Sequence, residues 1–416
     1  MVTNLARSAG WELLRHRDFR LFWLARAISV AGDRVSWLAL PTIAILVLGA
    51  SPVEVGLLNA VQTLAWPIVG LLIGVWVDRL PRRRILIGSD AARALVLITI
   101  PAAFAFGHLT LPHLIIAAGI AGVFSVAFDL AANAHLPSMV RSADLAGANA
   151  VLEGAQQAVS VGAPGLGGLL ISTIGAPFAV IADVLSYLLS GGLIARTRTM
   201  LASPPPARRR SLIAEAAEGV EVLLRDDALR RITVCAALSN IGLMMGLAIQ
   251  LLFLYRVMHL SPAVVGVCFA AGSLASIVGA LYNRRVMLRL GIYRTLLLST
   301  FLEGLAYILI PGGLLLPIVP LLVGALLISG FFNTTWNVSV TTFRQQRVPL
   351  ELMGRVAAAA RVVGYGALPL GALLGGLLGQ ALTAQLGQRL GLAAGLTIAP
   401  LVAASSALAL VRPWRD

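Results

Sequence analysis

Charged side chains are scarce in this chain of 416 residues, of which 12% are charged and 58% are apolar. A soluble domain carries about 25% charged residues. Lysine is absent, so all 32 basic residues are arginine. The two cysteines, Cys235 and Cys268, fall within apolar stretches, which argues against a disulfide framework or a cysteine metal site. The mean hydropathy of +0.89 indicates an integral membrane protein.

Sequence patterns that would hold a cofactor are missing as well. No Gly-x-x-x-x-Gly-Lys-Ser/Thr phosphate loop occurs, and no group of histidines and cysteines has the spacing of metal ligands. The first absence excludes ATP hydrolysis at such a loop as a source of energy. We therefore predict no cofactor, no metal ion and no enzymatic activity.

Apolar stretches of about 20 residues, the length that crosses a hydrocarbon core of ~30 Å, recur twelve times. We predict an all-α membrane protein with two six-helix domains, 1–196 and 231–416. A polar cytoplasmic linker, 197–230, joins them and carries an amphipathic helix that lies on the membrane surface. The apolar positions of that helix are Ile213, Ala217, Val220 and Leu224. The predicted spans are roughly 21–49, 53–77, 84–107, 112–139, 145–173, 177–196, 231–256, 262–283, 291–311, 314–340, 352–383 and 389–411.

The arginines are distributed unevenly between the two sides of this predicted topology. Only Arg256 and Arg389 fall on the side opposite to the termini. Four more lie inside the spans: Arg26, Arg34, Arg93 and Arg361. The positive-inside rule therefore places both termini in the cytoplasm, and it accounts for the net charge of +14 without a nucleic acid partner. The composition is typical of a GC-rich bacterium, so we predict a multi-pass protein of the bacterial plasma (inner) membrane.

The two halves of the chain repeat. Gly74-x-x-x-Asp78-Arg79, at the end of the second span, returns half a chain later as Gly279-x-x-x-Asn283-Arg284. Two further stretches recur about half a chain later. Leu145-Ala-Gly147 is similar to Leu352-Met-Gly354, and Gly162-Ala-Pro164 is similar to Gly366-Ala-Leu-Pro369. Such offsets predict two homologous bundles, an arrangement that places substrate sites near the bilayer midplane.

A dense charge cluster stands between the second and third spans, where Gly74 precedes Asp78-Arg79-Leu-Pro81-Arg82-Arg83-Arg84. A polybasic loop that holds anionic lipid explains the arginines but not the glycine and the aspartate. The spacing resembles the loop between helices two and three of the major facilitator superfamily, with Pro81 where the family has glycine. The resemblance implies that Asp78 braces the cytoplasmic ends of two bundles near Gly354 and Arg355, at the start of the eleventh span.

Further resemblances concern the exporters of that superfamily. Pro164-x-x-Gly167-Gly168 in the fifth span resembles the helix-five motif of drug:proton antiporters, although plain packing of small residues also explains it. Arg17-Asp-Phe-Arg20-Leu-Phe-Trp23 and Arg344-Gln-Gln-Arg347-Val-Pro349 resemble a branch that includes macrolide and enterobactin efflux proteins. The resemblance implies a monomeric, proton-driven exporter of small amphipathic compounds that works by rocking of two bundles. The alternatives are an uncoupled facilitator or importer of a nutrient, and a receptor that transports nothing.

Acids inside the spans are candidates for proton coupling, because charge buried in a membrane is costly and usually marks function or pairing. The candidates are Asp33, Asp129 and Glu153. We favour Asp33 as the proton carrier, with Arg26 on nearly the same helix face, against a structural ion pair or a polar contact between helices. Asp129 is expected to pair with Arg93 or with the loop arginines, as a brace or a proton site. We expect Asp90 and Arg93 to form a structural pair, and we assign Asp183 and Glu303 to helices at the periphery.

Polar and aromatic side chains inside the spans are candidates for substrate binding. Gln156 and Gln157 stand beside Glu153 and suit hydrogen bonding to a substrate, or they join helices. Asn333 and Asn337 share a face of the tenth span, next to a tryptophan, which suits an amphipathic ligand or plain packing. The full set is Arg26, Trp37, Gln156, Gln157, Asn240, Asn333, Trp336, Asn337 and Arg361. The acids suit a cationic substrate and the arginines an anionic one, so the substrate's charge stays open.

Overall fold

The computed structural model describes residues 12–198 and 212–411, except for the side chains of 69–79, 142, 212–217 and 350–351. Over this part of the chain the structure is helical and contains no strand. The helices are α1 (Arg17–Thr42), α2 (Pro52–Arg79), α3 (Arg82–Leu97), α4 (Thr99–Ala105), α5 (Leu111–His135), α6 (Leu145–Ile174), α7 (Ala176–Ala195), α8 (Leu212–Arg225), α9 (Asp227–Leu252), α10 (Pro262–Ala306), α11 (Ile318–Arg347) and α12 (Leu350–Ser405).

Among the described residues, nine helical stretches are long and apolar enough to cross a membrane. Two of them contain a break in the helix, at Gly291 (φ 74°) and at Gly387 (φ 76°). Only glycine adopts this left-handed backbone at little cost, so α10 and α12 each consist of two helices joined at a glycine. The predicted all-helical membrane architecture is confirmed, whereas the count of twelve spans stays a prediction.

The chain divides into two compact units. The first unit comprises Met1–Ile43 with Ala65–Arg208, and the second comprises Ala44–Leu64 with Arg209–Asp416. The division predicted from the sequence, with its linker at 197–230, stays a prediction.

Glycines allow the helices of each unit to pack closely. In the first unit, a methyl group at Gly167 of α6 would lie 3.3 Å from the Val35 Cα of α1. In the second unit, a methyl group at Gly371 of α12 would lie 2.5 Å from the Ile241 carbonyl oxygen of α9. These two glycines occupy equivalent positions in the sequence repeat. Each lies against the first long helix of its half, so the repeat predicted from the sequence corresponds to a shared mode of packing.

The glycine and asparagine of the second-half repeat are also packed in the second unit. A methyl group at Gly279 would lie 2.5 Å from the Phe331 carbonyl oxygen of α11. Asn283 is buried and accepts a hydrogen bond from the Ser339 hydroxyl (3.1 Å). The residues that correspond to them in the first half, Gly74 and Asp78, lie outside the described side chains, and so does Arg79.

Helix α8, in the predicted linker, lies against the beginning of α12. Glu218 forms an ion pair with Arg355 (2.5 Å), and a Cβ at Gly219 would overlap the backbone of Arg355. Leu223 is buried, whereas Leu224 is 58% exposed. The packed face is therefore shifted by one residue from the predicted apolar positions Val220 and Leu224, while Ile213 and Ala217 lie outside the described side chains. The predicted position of this helix on a membrane surface stays a prediction.

Asp226 connects the linker to two helices of the second unit. Its carboxylate accepts a hydrogen bond from the backbone N–H of Leu229 at the start of α9 (3.0 Å) and another from Arg347 Nε at the end of α11 (2.7 Å). Burial would raise the pKa of Asp226, but these hydrogen bonds stabilise the carboxylate and hold its pKa below the ordinary value of 3.8.

We expect the ion pair between Asp226 and Arg347 to stabilise the fold fully above pH 3.8. A carboxylate whose pKa is lowered on folding loses its contribution as the pH falls through the folded pKa. Asp226→Asn keeps the helix cap and removes the ion pair, at a cost of up to about 1 kcal/mol near neutral pH. Asp226→Ala removes the cap as well, at a further cost of about 1 kcal/mol.

Thermal unfolding of the purified chain in detergent, at neutral pH, at pH 5 and at pH 3.5, measures these differences. The loss caused by Asp226→Asn should be equal at the two higher values and smaller at pH 3.5. A loss that stays undiminished at pH 3.5 would contradict the assigned ion pair.

Close packing of α9 on α12 predicts that Gly242→Ala is destabilising. A Cβ at Gly242 would overlap the backbone of Ala403, and such overpacking costs about 1–3 kcal/mol. Gly192→Ala in α7 is the matched control, because no atom lies within 4 Å of a Cβ built there. We expect tryptophan fluorescence during heating to show a lower midpoint for Gly242→Ala and an unchanged or higher midpoint for Gly192→Ala. Equal midpoints for the two variants would show that α9 and α12 are farther apart at Gly242 than in this structure.

Candidate functional site

A cluster of ionisable side chains in the first unit is centred on Arg93 of α3, whose side chain is 1% exposed. Arg93 forms an ion pair with Asp90, one turn earlier, and its Nη1 lies 3.7 Å from Asp33 Oδ1 of α1. The guanidinium group also lies over the rings of Tyr187 (4.0 Å) and Phe128 (4.6 Å), where cation–π attraction stabilises it. The predicted pairing of Asp90 with Arg93 is therefore present, within a larger cluster.

The Asp33 carboxylate contacts this cluster on one side and is exposed on the other. The Tyr187 hydroxyl donates a hydrogen bond to Asp33 Oδ1, and Arg93 supplies the nearby positive charge. The Asp33 side chain is nevertheless 40% exposed. Its contacts join α1 to α3 and α7. Sequence reasoning noted Arg26 on nearly the same helix face, whereas the structure gives Arg93 of α3 as the partner of Asp33.

Asp183 of α7 is a buried acid whose surroundings sequence reasoning missed. It accepts hydrogen bonds from Ser36 of α1 and from Ser186 (3.2 Å to Oδ1). Gly32 makes room for this contact, because a Cβ there would overlap Asp183 and Ser186. The predicted peripheral position of the helix that carries Asp183 stays a prediction, while the Asp183 side chain faces α1. The polar stripe of Asp183, Ser186, Tyr187 and Ser190 at helical spacing was the signal that could have placed it.

Asp129 forms a second ion pair in the first unit. Arg26 Nη2 lies 3.7 Å from Asp129 Oδ1, and Arg26 Nη1 donates to Asn133 Oδ1 (3.5 Å). Asp129 and Asn133 thus share one helix face, as their spacing predicts. The expected partners of Asp129 were Arg93 or the loop arginines, and that expectation is wrong because Arg26 takes their place.

Three further candidates lie together on α6. Glu153 and Gln157 are exposed, and Gln156 is partly buried. Among the described residues, Glu153 has no ion-pair partner. In the adjacent part of the first unit, Trp37 is half-buried on α1. The roles predicted for these four residues stay predictions.

Two arginines of the loop motif in the first unit donate hydrogen bonds to backbone carbonyl groups. Arg82 Nη1 donates to the Ala134 carbonyl (2.8 Å), and Arg83 donates to the carbonyls of Ile194 (3.2 Å) and Ala195. These bonds tie the start of α3 to the ends of α5 and α7. Arg84 is exposed, whereas Pro164 and Gly168 are buried in α6. Their gating roles, like those of Gly354 and Arg355, stay predictions.

The second unit contains a cavity of about 530 Å³ between α9, α10, α11 and α12. Five of the predicted substrate-binding residues line it: Asn240, Asn333, Trp336, Asn337 and Arg361. The side chains that sequence reasoning did not assign to a substrate site include Thr300, Glu303, Thr341, Arg344, Gln345 and Tyr365. This volume lies in the range of about 300–1,000 Å³ that is typical of small-molecule sites.

Glu303 is the buried acid of this cavity, with 4% of its surface exposed. Asn333 Nδ2 donates to Glu303 Oε1 (2.7 Å), and Asn337 Nδ2 donates in turn to Asn333 Oδ1 (3.2 Å). Asn240 Nδ2 donates to the Gly364 carbonyl (3.0 Å) and so joins α9 to α12. The predicted peripheral position of the helix that carries Glu303 stays a prediction, while the Glu303 carboxylate faces the cavity. The environment of Glu303 could not be read from α10 alone, since the amide that contacts it, Asn333, is on α11.

Comparison with known proteins identifies the family. A sequence model of the Major Facilitator Superfamily matches residues 22–372. The chain belongs to the major facilitator superfamily. The resemblance seen in the loop after the second span is thereby confirmed, and so is the expectation of a multi-pass transporter of small molecules rather than an enzyme.

Relatives and solved structures agree with this assignment. The chain is 27% identical over 364 residues to the multidrug efflux pump Tap of Mycolicibacterium fortuitum, covering 85% of this chain and 87% of that one. It is 26% identical to Tap of Mycobacterium tuberculosis, with 85% of each chain covered. The nucleoside transporter NupG has the same fold, with a TM-score of 0.71, 13% identity, and 94% and 99% of the two chains covered. A bacterial homologue of the lysosomal transporter Spinster matches with a TM-score of 0.71, 15% identity and 97% of each chain covered.

We predict that Arg93→Gln strongly destabilises the first unit, because it leaves Asp33 and Asp90 without their cation. Breaking a buried ion pair on one side costs about 3–5 kcal/mol. The double variant Asp90→Asn/Arg93→Gln should recover part of that loss, since it also removes one uncompensated carboxylate. Thermal midpoints of the two single variants and the double variant complete the cycle. A double variant no more stable than Arg93→Gln would show that Asp90 and Arg93 are not coupled.

Proposed function

We propose that this transporter exports small amphipathic compounds from bacteria in exchange for protons, and that Asp33 carries the proton. The observation that carries the proposal is a carboxylate on a membrane-spanning helix, contacted by Arg93 and Tyr187 and yet 40% exposed. A charge at that position is costly unless it is paired or has a function. The naming of relatives as multidrug efflux pumps supports the direction of transport and the substrate class.

Protonation of Asp33 would change the contacts that join three helices. The neutral carboxyl group attracts Arg93 less, and the guanidinium group then depends on Asp90 alone for a close ion pair. Because Asp33 is on α1, Arg93 on α3 and Tyr187 on α7, a weaker contact changes the relative stability of the arrangements open to these helices. This is how binding a proton would bias an alternating-access cycle.

The other acids have contacts that make them second candidates for proton coupling. Asp129 is 44% exposed but lies beside Arg26, whose Nη1 also donates to Asn133. Glu153 has no arginine partner among the described residues and is not part of the cluster around Arg93. An uncoupled facilitator, the alternative function, has no need for a titratable group at Asp33.

The proposal also includes the bacterial plasma membrane as the location, cytoplasmic termini, and action as a monomer. The uneven distribution of the arginines supports the orientation. The efflux pumps to which the chain is similar are bacterial, which supports the location.

The experiment is uptake into proteoliposomes with an acidic lumen, measured on molecules whose cytoplasmic side faces outward. Ethidium serves as a cationic probe and radiolabelled 2-naphthoate as an anionic one. We expect the proton gradient to drive uptake of at least one probe by the unaltered chain. Asp33→Asn should reduce that uptake to the level of liposomes without protein, because an amide binds no proton in this range.

Asp144→Asn is the matched control, since Asp144 pairs with the exposed Arg141 in a connection between helices. It should transport like the unaltered chain. Gradient-driven uptake that survives Asp33→Asn would assign the proton to another group, with Asp129→Asn and Glu153→Gln as the next variants. Uptake that is independent of the gradient would instead establish an uncoupled facilitator.

A further inference from the structure

The cavity of the second unit has two arginines without acidic partners. Arg344 of α11 and Arg361 of α12 both line it. In the described part of the chain, no carboxylate oxygen lies within 4.0 Å of either guanidinium group. The Nε of Arg344 is buried and has no hydrogen-bond partner there. The positive charge of Arg361 also acts unfavourably on that of Arg344. Arg344 is partly buried and Arg361 is exposed. Partial burial of a cation without a partner is costly, so an anion from outside the chain would stabilise Arg344 and offset its repulsion from Arg361.

The acid that lines the same cavity does not compensate these charges. Glu303 contacts Asn333, which begins a polar stripe on α11 that continues through Asn337 and Thr341 to Arg344. At 1.5 Å per residue, Arg344 is ~16 Å along the helix axis from Asn333. The stripe therefore has an acid at one end and an arginine at the other, and a ligand along it would meet the two charges separately.

Much of the remaining lining is apolar or aromatic. Trp336 is 9% exposed and lies between the polar positions of α11, and Tyr365 faces the cavity from α12. Leu243, Val340 and Met353 complete the apolar part. A simple inorganic anion would leave these side chains without contacts, whereas an organic anion with an aromatic body would bury them.

We propose that this cavity binds an amphipathic organic anion, with an aromatic body beside Trp336 and a carboxylate or sulfonate between Arg344 and Arg361. The inference rests on the proposed function, because it names the substrate class of the exporter. Two arginines favour an oxyanion over a cation, since each donates charge-assisted hydrogen bonds to it. The class of ligand follows from the second unit alone and requires no particular coupling ion.

Equilibrium binding to the purified full-length chain tests the proposal without any gradient. The probes are radiolabelled 2-naphthoate and the cation N-methylquinolinium, which are similar in size. We expect 2-naphthoate to bind at least about tenfold more tightly than the cation. Arg344→Gln and Arg361→Gln should each weaken 2-naphthoate binding about tenfold, as loss of a hydrogen bond to a charged group does. Neither variant should weaken binding of the cation.

Two controls separate recognition of the anion from general damage. Arg389→Gln removes an exposed arginine far along the chain from the cavity residues and should leave the binding of both probes unchanged. Arg361→Lys keeps the charge and should retain more binding than Arg361→Gln. The thermal midpoint of Arg344→Gln should not fall, because no partner in the described chain is lost. A structural arginine would instead show a lower midpoint.

Two results would overturn the inference. One is equal or tighter binding of N-methylquinolinium by the unaltered chain. The other is binding of 2-naphthoate by the two cavity variants as tight as that of Arg389→Gln. Anion binding without gradient-driven uptake would contradict proton exchange and leave this inference standing. Gradient-driven uptake of ethidium alone would contradict this inference and leave proton-driven export standing.

Discussion

The pairing of Arg93 with acids and aromatic rings is the interaction on which the first unit depends. A fully buried guanidinium group in a membrane-spanning helix is stable only where anions and ring faces surround it. Asp33, Asp90 and Tyr187 supply those groups from α1, α3 and α7. The relative rotation of these three helices is set by that requirement, because apolar side chains alone pack in many rotations. In the proposed cycle, a proton on Asp33 would therefore act on the geometry of the whole cluster.

The second unit repeats the packing of the first unit but not its electrostatics. Gly167 and Gly371 occupy equivalent positions, and each permits an equivalent close approach of helices. The charges differ, since Arg93 is enclosed by acids while the acid that lines the cavity of the second unit, Glu303, pairs with neither Arg344 nor Arg361. Replacing a small residue at a close helix contact breaks the packing, whereas replacing a polar residue costs the fold less. The two proposals accordingly assign the proton to one unit and the ligand to the other.

The helices and the family were predictable from sequence, because hydropathy and charge placement determine where a chain can cross a bilayer. The ion-pair partners that lie on different helices were not predictable from sequence. Asp129 lies beside Arg26, and Asp33 beside Arg93, which depends on helix rotation and on the direction of long side chains. Asp183 and Glu303 were assigned to the periphery from the order of their helices, although each faces a neighbouring helix. The sequence of a single helix shows where its polar stripe lies. The neighbouring helix against which that stripe packs is set by the whole bundle.

The charge of the ligand decides how the membrane potential contributes to export. A cation that leaves in exchange for one proton moves no net charge, so only the pH difference drives the step. An anion that leaves while a proton enters moves two elementary charges in the favourable direction. Each charge is worth about 2.3 kcal/mol per 100 mV. An exporter with arginines in its ligand cavity and a carboxylate for its proton would therefore use the potential twice in each cycle, and could work against a steep gradient with a single titrating acid.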